Sequence, residues 1–154
     1  MADNSPISAT KFSVHGVMEN AARTNIDIGS HHVVIDEPKV RGGTDQGPTP
    51  TEMLAASLIG CTNVVVNRIA EQNGIKIRTM SIGLETTCDF RGVIGIAEVD
   101  RPFVRMDLTI TMTTDADAAS VALLRRELPK RCPVDVALCA AGTELVETWN
   151  VMAP

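Results

Sequence analysis

Between Met53 and Val66 the chain reads MLAASLIGCTNVVV, and this run constrains the fold more than any other part of the sequence. Apolar residues occupy nearly every angular position of a helix here. A helix over Met53–Asn73 must therefore be enclosed on most sides by other parts of the protein. Gly74 supplies its stop. Thr51 is the expected N-cap, and Glu52 places a carboxylate in the first turn, where the helix dipole favours negative charge. The preceding segment, Arg41 to Pro50, is too rich in Gly and Pro to hold a ladder or a helix and reads as a loop. Ser57, Gly60, Thr62 and Asn63 interrupt the apolar run, which falls short of the ~20 residues that span a bilayer. It is expected to be a core helix, not a membrane span.

What surrounds this helix follows from the periodicity on either side. Upstream, Phe12–Val17, Arg23–Ile28 and His32–Asp36 are short runs separated by Asn20, Gly29-Ser30 and Asp36-Glu37-Pro38, a meander of two or three strands. Downstream, the pattern switches to period two. Met80, Ile82, Leu84, Thr86, Cys88 and Phe90 alternate with polar or small neighbours, as do Val104, Met106, Leu108, Ile110 and Met112. These are two amphipathic strands of an antiparallel pair, joined across Gly92–Pro102. Thr114 or Asp115 is expected to cap a helix over Ala116–Leu128, with Val121, Leu124 and Leu128 on one face. After a break at Pro129–Arg131, Cys132-Pro133 opens a short helix with proline at the first position, and Thr143–Val151 reads as a last strand. The class is α+β: an antiparallel sheet with segregated helices. At 154 residues, one domain is expected, with residues 1–10 flexible.

Composition narrows the chemistry. Three Phe, one Trp and no Tyr leave few aromatic platforms for stacking bases. A net charge of −5, from 14 Lys and Arg against 19 Asp and Glu, disfavours a phosphate backbone as partner. No basic segment followed by an apolar core marks a secretory signal in MADNSPISATKFSV, so a reducing cytoplasmic setting is expected. No P-loop, GxGxxG or GxSxG element is present, and no cofactor is implied.

The four cysteines carry the remaining chemistry. Cys132 sits at the start of a helix, where the dipole and unpaired N–H groups favour a thiolate, and Lys130 and Arg131 add positive charge. Cys61 lies in mid-helix and needs a cation from elsewhere; Arg23 and Arg41 are the nearest upstream candidates. Glu52 begins the same helix nine residues earlier, ~13 Å along the axis and about half a turn out of phase, too far to touch Cys61 directly. Cys88 shares the apolar register of its strand, and Cys139 lies seven residues, about two turns, beyond Cys132 near the same helix face; both are expected to be packing residues. His31 and His32 point to opposite faces of a strand. No CxxC or His spacing supports a metal site.

Gly47-Pro48-Thr49-Pro50-Thr51-Glu52-Met53-Leu54-Ala55-Ala56-Ser57-Leu58-Ile59-Gly60-Cys61-Thr62 closely resembles the signature of the OsmC/Ohr family, and Arg131-Cys132-Pro133-Val134 resembles its second cysteine motif. The resemblance covers the chain after about residue 10. It implies an OsmC-like fold with a long buried central helix in an intertwined homodimer. It also implies a two-cysteine peroxidase acting on organic hydroperoxides in antioxidant defence. Cys61 is then the peroxidatic thiolate and Cys132 the resolving thiol, with a dihydrolipoyl-type dithiol as reductant. Arg23 corresponds to the arginine that stabilises the thiolate, and Glu52 to the carboxylate that holds this arginine. In the members best known as peroxidases, that carboxylate lies ten residues before the first cysteine, where this chain has Thr51. Glu52, nine before, resembles a more divergent branch. The alternative is therefore a dimeric small-molecule-binding or redox-sensing protein with little turnover.

Overall fold

A computed structural model describes residues 9–154. Most of the segment expected to be flexible, residues 1–8, lies outside the described residues. The chain forms two compact units, the first ending at Met53 and the second running Leu54–Pro154.

In the first unit, β1 (Val14–Met18), β2 (Thr24–Ile28) and β3 (His31–Ile35) make an antiparallel meander in that order. His31 and His32 do lie on successive positions of one strand, and His32 Nδ1 pairs with Asp27 at 2.9 Å. After β3 the chain folds through a 3-10 turn at Lys39–Arg41 into the Gly/Pro loop. A side chain at Gly43 would overlap the Glu37 carbonyl, and one at Gly47 the Val34 carbonyl, so only glycine permits these close approaches.

The second unit is organised by α1 (Pro50–Gln72), which begins three residues earlier than the apolar run predicts. Leu58, Thr62, Val66 and Ile69 recur at helical spacing and form its buried stripe, with Ala70 beside them. Ile75 N–H closes onto the Ala70 carbonyl at 2.9 Å, with Gly74 in the left-handed region at φ 66°, which ends the helix as its glycine foretold. By length and composition α1 would pass as a membrane span, but its buried stripe belongs to the core of this unit. The expectation of a helix enclosed on most sides does not hold within one chain. Leu54 and Val64 remain 37% and 58% exposed.

A second sheet has the order β4 (Ile77–Cys88), β5 (Phe103–Thr114), β6 (Glu144–Met152). β4 and β5 pair antiparallel, and Met106, Leu108, Ile110 and Met112 are buried on one face as their alternation requires. β6 pairs with β5 in parallel, a departure from a purely antiparallel sheet. The helical crossover between them returns the chain in its original direction. That crossover is α2 (Ala118–Arg131) and α3 (Pro133–Ala140). Val121, Leu124 and Leu128 are the buried face of α2. Its N-cap is Asp117, not Thr114 or Asp115, and the carboxylate accepts from Ser120 N–H at 2.8 Å. Nor does Pro129 break the helix. It removes one donor near the C-terminal end, and Cys132 N–H still reaches the Leu128 carbonyl at 3.0 Å.

Candidate functional site

Cys132 is fully buried at the junction of α2 and α3, where it closes one helix and caps the next. Proline at the first position of α3 fixes the backbone angle that turns the chain, and the N–H groups of Val134 and Asp135 are aimed at the Cys132 sulfur. Cys61, half-buried on α1, packs against the same core, and the two thiols sense each other directly. Two cysteines 71 positions apart in the sequence are thereby brought together. Burial, and after it the Cys61 thiol, pushes the Cys132 thiol up to about 12, against the pull of the two N–H groups. The helix start therefore does not make Cys132 a thiolate, contrary to the effect its position suggests, because desolvation of a buried anion outweighs the dipole.

The other thiols separate from this pair. Cys88 is half-buried at the end of β4, and burial raises its thiol. Cys139 is exposed, not a packing residue, and its Sγ–H donates to Asp135 Oδ1 at 3.3 Å. Among the described residues, no three His, Cys, Asp or Glu side chains converge as metal ligands do.

In the first unit, Glu52 belongs to a reciprocal cap. Thr49 N–H and Thr49 Oγ1–H both donate to Glu52 Oε2, at 2.8 and 2.9 Å, while Glu52 N–H donates to Thr49 Oγ1 at 3.3 Å. Thr49 is thus the N-cap instead of Thr51, with Pro50 at the first helical position. The T-x-x-E spacing carried this signal. The Thr49 bonds, and more weakly Arg41, hold the Glu52 carboxyl below its ordinary range. Arg23 makes no ion pair among the described residues, and its buried Nε–H has no acceptor.

Asp36 is a residue whose role the sequence did not reveal. Fully buried, its carboxylate accepts from the N–H groups of Glu37, Thr44 and Gln46 and from Thr44 Oγ1–H at 2.6 Å. These bonds outweigh desolvation and lower its pKa to about 2. It ties together the loop that delivers Thr49 to the start of α1; the sequence showed it only as part of a turn.

The family described as OsmC-like protein matches residues 43–147, which include Glu52, Cys61 and Cys132. Solved structures share the architecture. An OsmC-like protein from Mycoplasma pneumoniae superposes with a TM-score of 0.74 at 16% identity, covering 94% of this chain and 97% of that one. An organic hydroperoxide resistance protein OsmC from Legionella pneumophila gives 0.67 at 12% identity, covering 94% and 99%. The organic hydroperoxide resistance protein OhrB of Bacillus subtilis gives 0.59 at 17% identity, covering 92% and 98%. At these identities the likeness is one of fold. No curated protein matches the chain.

Proposed function

Because the chain belongs to the OsmC-like protein family, we propose that it is a thiol peroxidase that reduces organic hydroperoxides through Cys61 and Cys132. The observation that carries this reading is the pairing of a half-buried thiol on α1 with a buried one at the start of α3. The Cys61 thiolate attacks the terminal peroxide oxygen. An S–O bond forms, the O–O bond breaks, and the alkoxide leaves as the alcohol after taking up a proton. Cys61 is left as sulfenic acid. The Cys132 sulfur then attacks the Cys61 sulfur and water leaves, giving a Cys61–Cys132 disulfide. A resolving thiol in the same core protects the sulfenate from over-oxidation by condensing with it. A small dithiol of the dihydrolipoyl type returns both thiols and leaves as its cyclic disulfide.

Arg23 is assigned as the cation that steadies the thiolate, supported by a buried Nε–H in need of an acceptor. Glu52 is assigned as the carboxylate that orients it. A second copy of the chain is the proposed cover for the apolar surface of α1, of which Leu54 and Val64 are part. The setting is reducing and cytoplasmic.

A redox-sensing reading with little turnover is favoured by one observation, the complete burial of Cys132, which holds its thiol protonated and slows closure of the disulfide. Titration with cumene hydroperoxide separates the two. The peroxidase is expected to lose two thiols per chain within one mixing time and recover them with dihydrolipoamide, whereas Cys61→Ser loses activity by more than ~100-fold. Cys61→Ser consuming peroxide as fast as wild type would end the peroxidase reading. Rapid oxidation without repeated turnover would leave the sensor.

A further inference from the structure

The loop between β3 and α1 closes around one buried carboxylate. Asp36 Oδ2 accepts from Thr44 Oγ1–H at 2.6 Å and from the N–H groups of Thr44 and Gln46, each at 3.1 Å. Its Oδ1 accepts from Glu37 N–H at 2.8 Å. Asp45, between the two converging donors, is held at φ 59°, the only residue other than glycine in the left-handed region among the described residues. A left-handed residue of this kind turns neighbouring N–H groups inward to make an anion-binding concavity. Here the chain's own Asp36 fills it.

The main chain of the same residue leads to Glu52. Asp36 N–H donates to the Pro48 carbonyl at 3.1 Å. The N–H on the other side of that peptide bond belongs to Thr49 and donates to Glu52 Oε2 at 2.8 Å. A peptide unit is planar, so holding its carbonyl sets the direction in which its N–H points. Gly47 lies so close to the Val34 carbonyl that a side chain would overlap it, which pins the segment to β3. Thr49 N–H and Oγ1–H both occupy Oε2 of Glu52, and Oε1 carries no donor among the described residues.

We propose that Asp36 is the positioning residue of Glu52: by clamping residues 44–48 it fixes the Pro48–Thr49 peptide, so that Glu52 keeps one oxygen on the cap and offers the other to the Arg23 guanidinium. A glutamate free of such bonds is spread over many rotamers. Two donors on a peptide that is itself held select one of them. The other charged groups around Glu52 are Arg41, which attracts it weakly, and Glu37, whose Oε2 takes Arg41 Nε–H at 2.8 Å. The part played by Arg23 rests on the function proposed above, whereas the clamp is tested without it.

Full-length protein carrying carbon-13 at its glutamate carboxyls is titrated by NMR, the Glu52 signal being the one lost in Glu52→Gln. In the unaltered chain it titrates below the ordinary glutamate range. Asp36→Asn is expected to move it up towards that range, because the released peptide no longer holds its N–H on the carboxylate. Thr44→Val removes only the 2.6 Å bond; it should move the signal the same way by less, and it decides if Asp36→Asn does not fold. Val121→Ala, a destabilising change in α2, should leave the signal in place. A Glu52 titration unmoved by both loop variants, or moved as far by Val121→Ala, overturns the proposal. Turnover of cumene hydroperoxide then reads the link to the reaction. Asp36→Asn should lower kcat/KM about tenfold and add nothing to the loss caused by Glu52→Gln, whereas additive losses overturn the positioning role. If Glu52→Gln turns over like wild type, the assignment of Glu52 to the arginine fails, and the NMR titration alone decides the clamp.

Discussion

α1 opens with Thr49-Pro50-Thr51-Glu52 and α3 with Cys132-Pro133-Val134-Asp135. Each has a polar N-cap, a proline at the first helical position and an acid at the third. In α1 the pattern closes on itself, with three hydrogen bonds between Thr49 and Glu52. In α3 no side-chain bond caps the helix, and the acid points into the interior. What differs is the chain before the cap. A loop leads into Thr49 and leaves its N–H free for Glu52, whereas α2 runs directly into Cys132 and consumes that N–H. The first start is a self-sufficient structural device. The second leaves a thiol facing bare N–H groups and a carboxyl with an unpartnered oxygen, the kind of unfinished local structure in which chemistry is found.

The strongest way to break this contrast is to remove the loop that frees Thr49. Gly43→Ala drives a methyl into the Glu37 carbonyl and is expected to cost ~3 kcal/mol. Hydrogen exchange should show lost protection in β1–β3 and in the first turn of α1, with β4–β6 and α3 retained. Equal loss in both sheets would mean that the starts are not built independently.

A pH series sharpens the comparison, because the two regions carry carboxyls shifted in opposite directions. Asp36 and Glu52 have lowered folded values, so their contribution is full above the unfolded values of 3.8 and 4.5 and is lost in acid, for Asp36 as the pH falls to about 2. Asp135 and Glu147 have raised values, so theirs is present below the same unfolded values and is lost as the pH rises through the folded ones. Amide exchange should show the loop around Asp36 loosening below pH 4 and the α3–β6 contact loosening above it. Asp36→Asn should flatten the first response and leave the second. A common direction in both regions would contradict the assignment.

The smallest expected effect is that of the cap itself. Thr49→Ala removes the two bonds made through the Thr49 hydroxyl while its N–H stays on Glu52, and should cost ~1 kcal/mol, read as a lower midpoint in urea. Thr51→Ala, at the expected cap that the structure displaced to Thr49, should cost appreciably less by the same measurement.

The sequence determined the parts that depend on neighbours along the chain. The long helix ending at Gly74, the two alternating strands, the proline-led start after Cys132 and the apolar face of α2 all follow from spacing and local backbone preference. The α1 cap was placed at Thr51 from the sequence, and only the structure moved it to Thr49, whose T-x-x-E spacing to Glu52 carries the signal. Only the tertiary structure decided which groups met across long separations. It set β6 parallel to β5 and turned Asp36 from a loop residue into a buried anchor. It also brought Cys61 to Cys132 and raised the latter's pKa, because a buried anion loses more to desolvation than a helix start returns. Local pattern fixes where a helix begins, and the surrounding fold fixes what its first side chains are free to do.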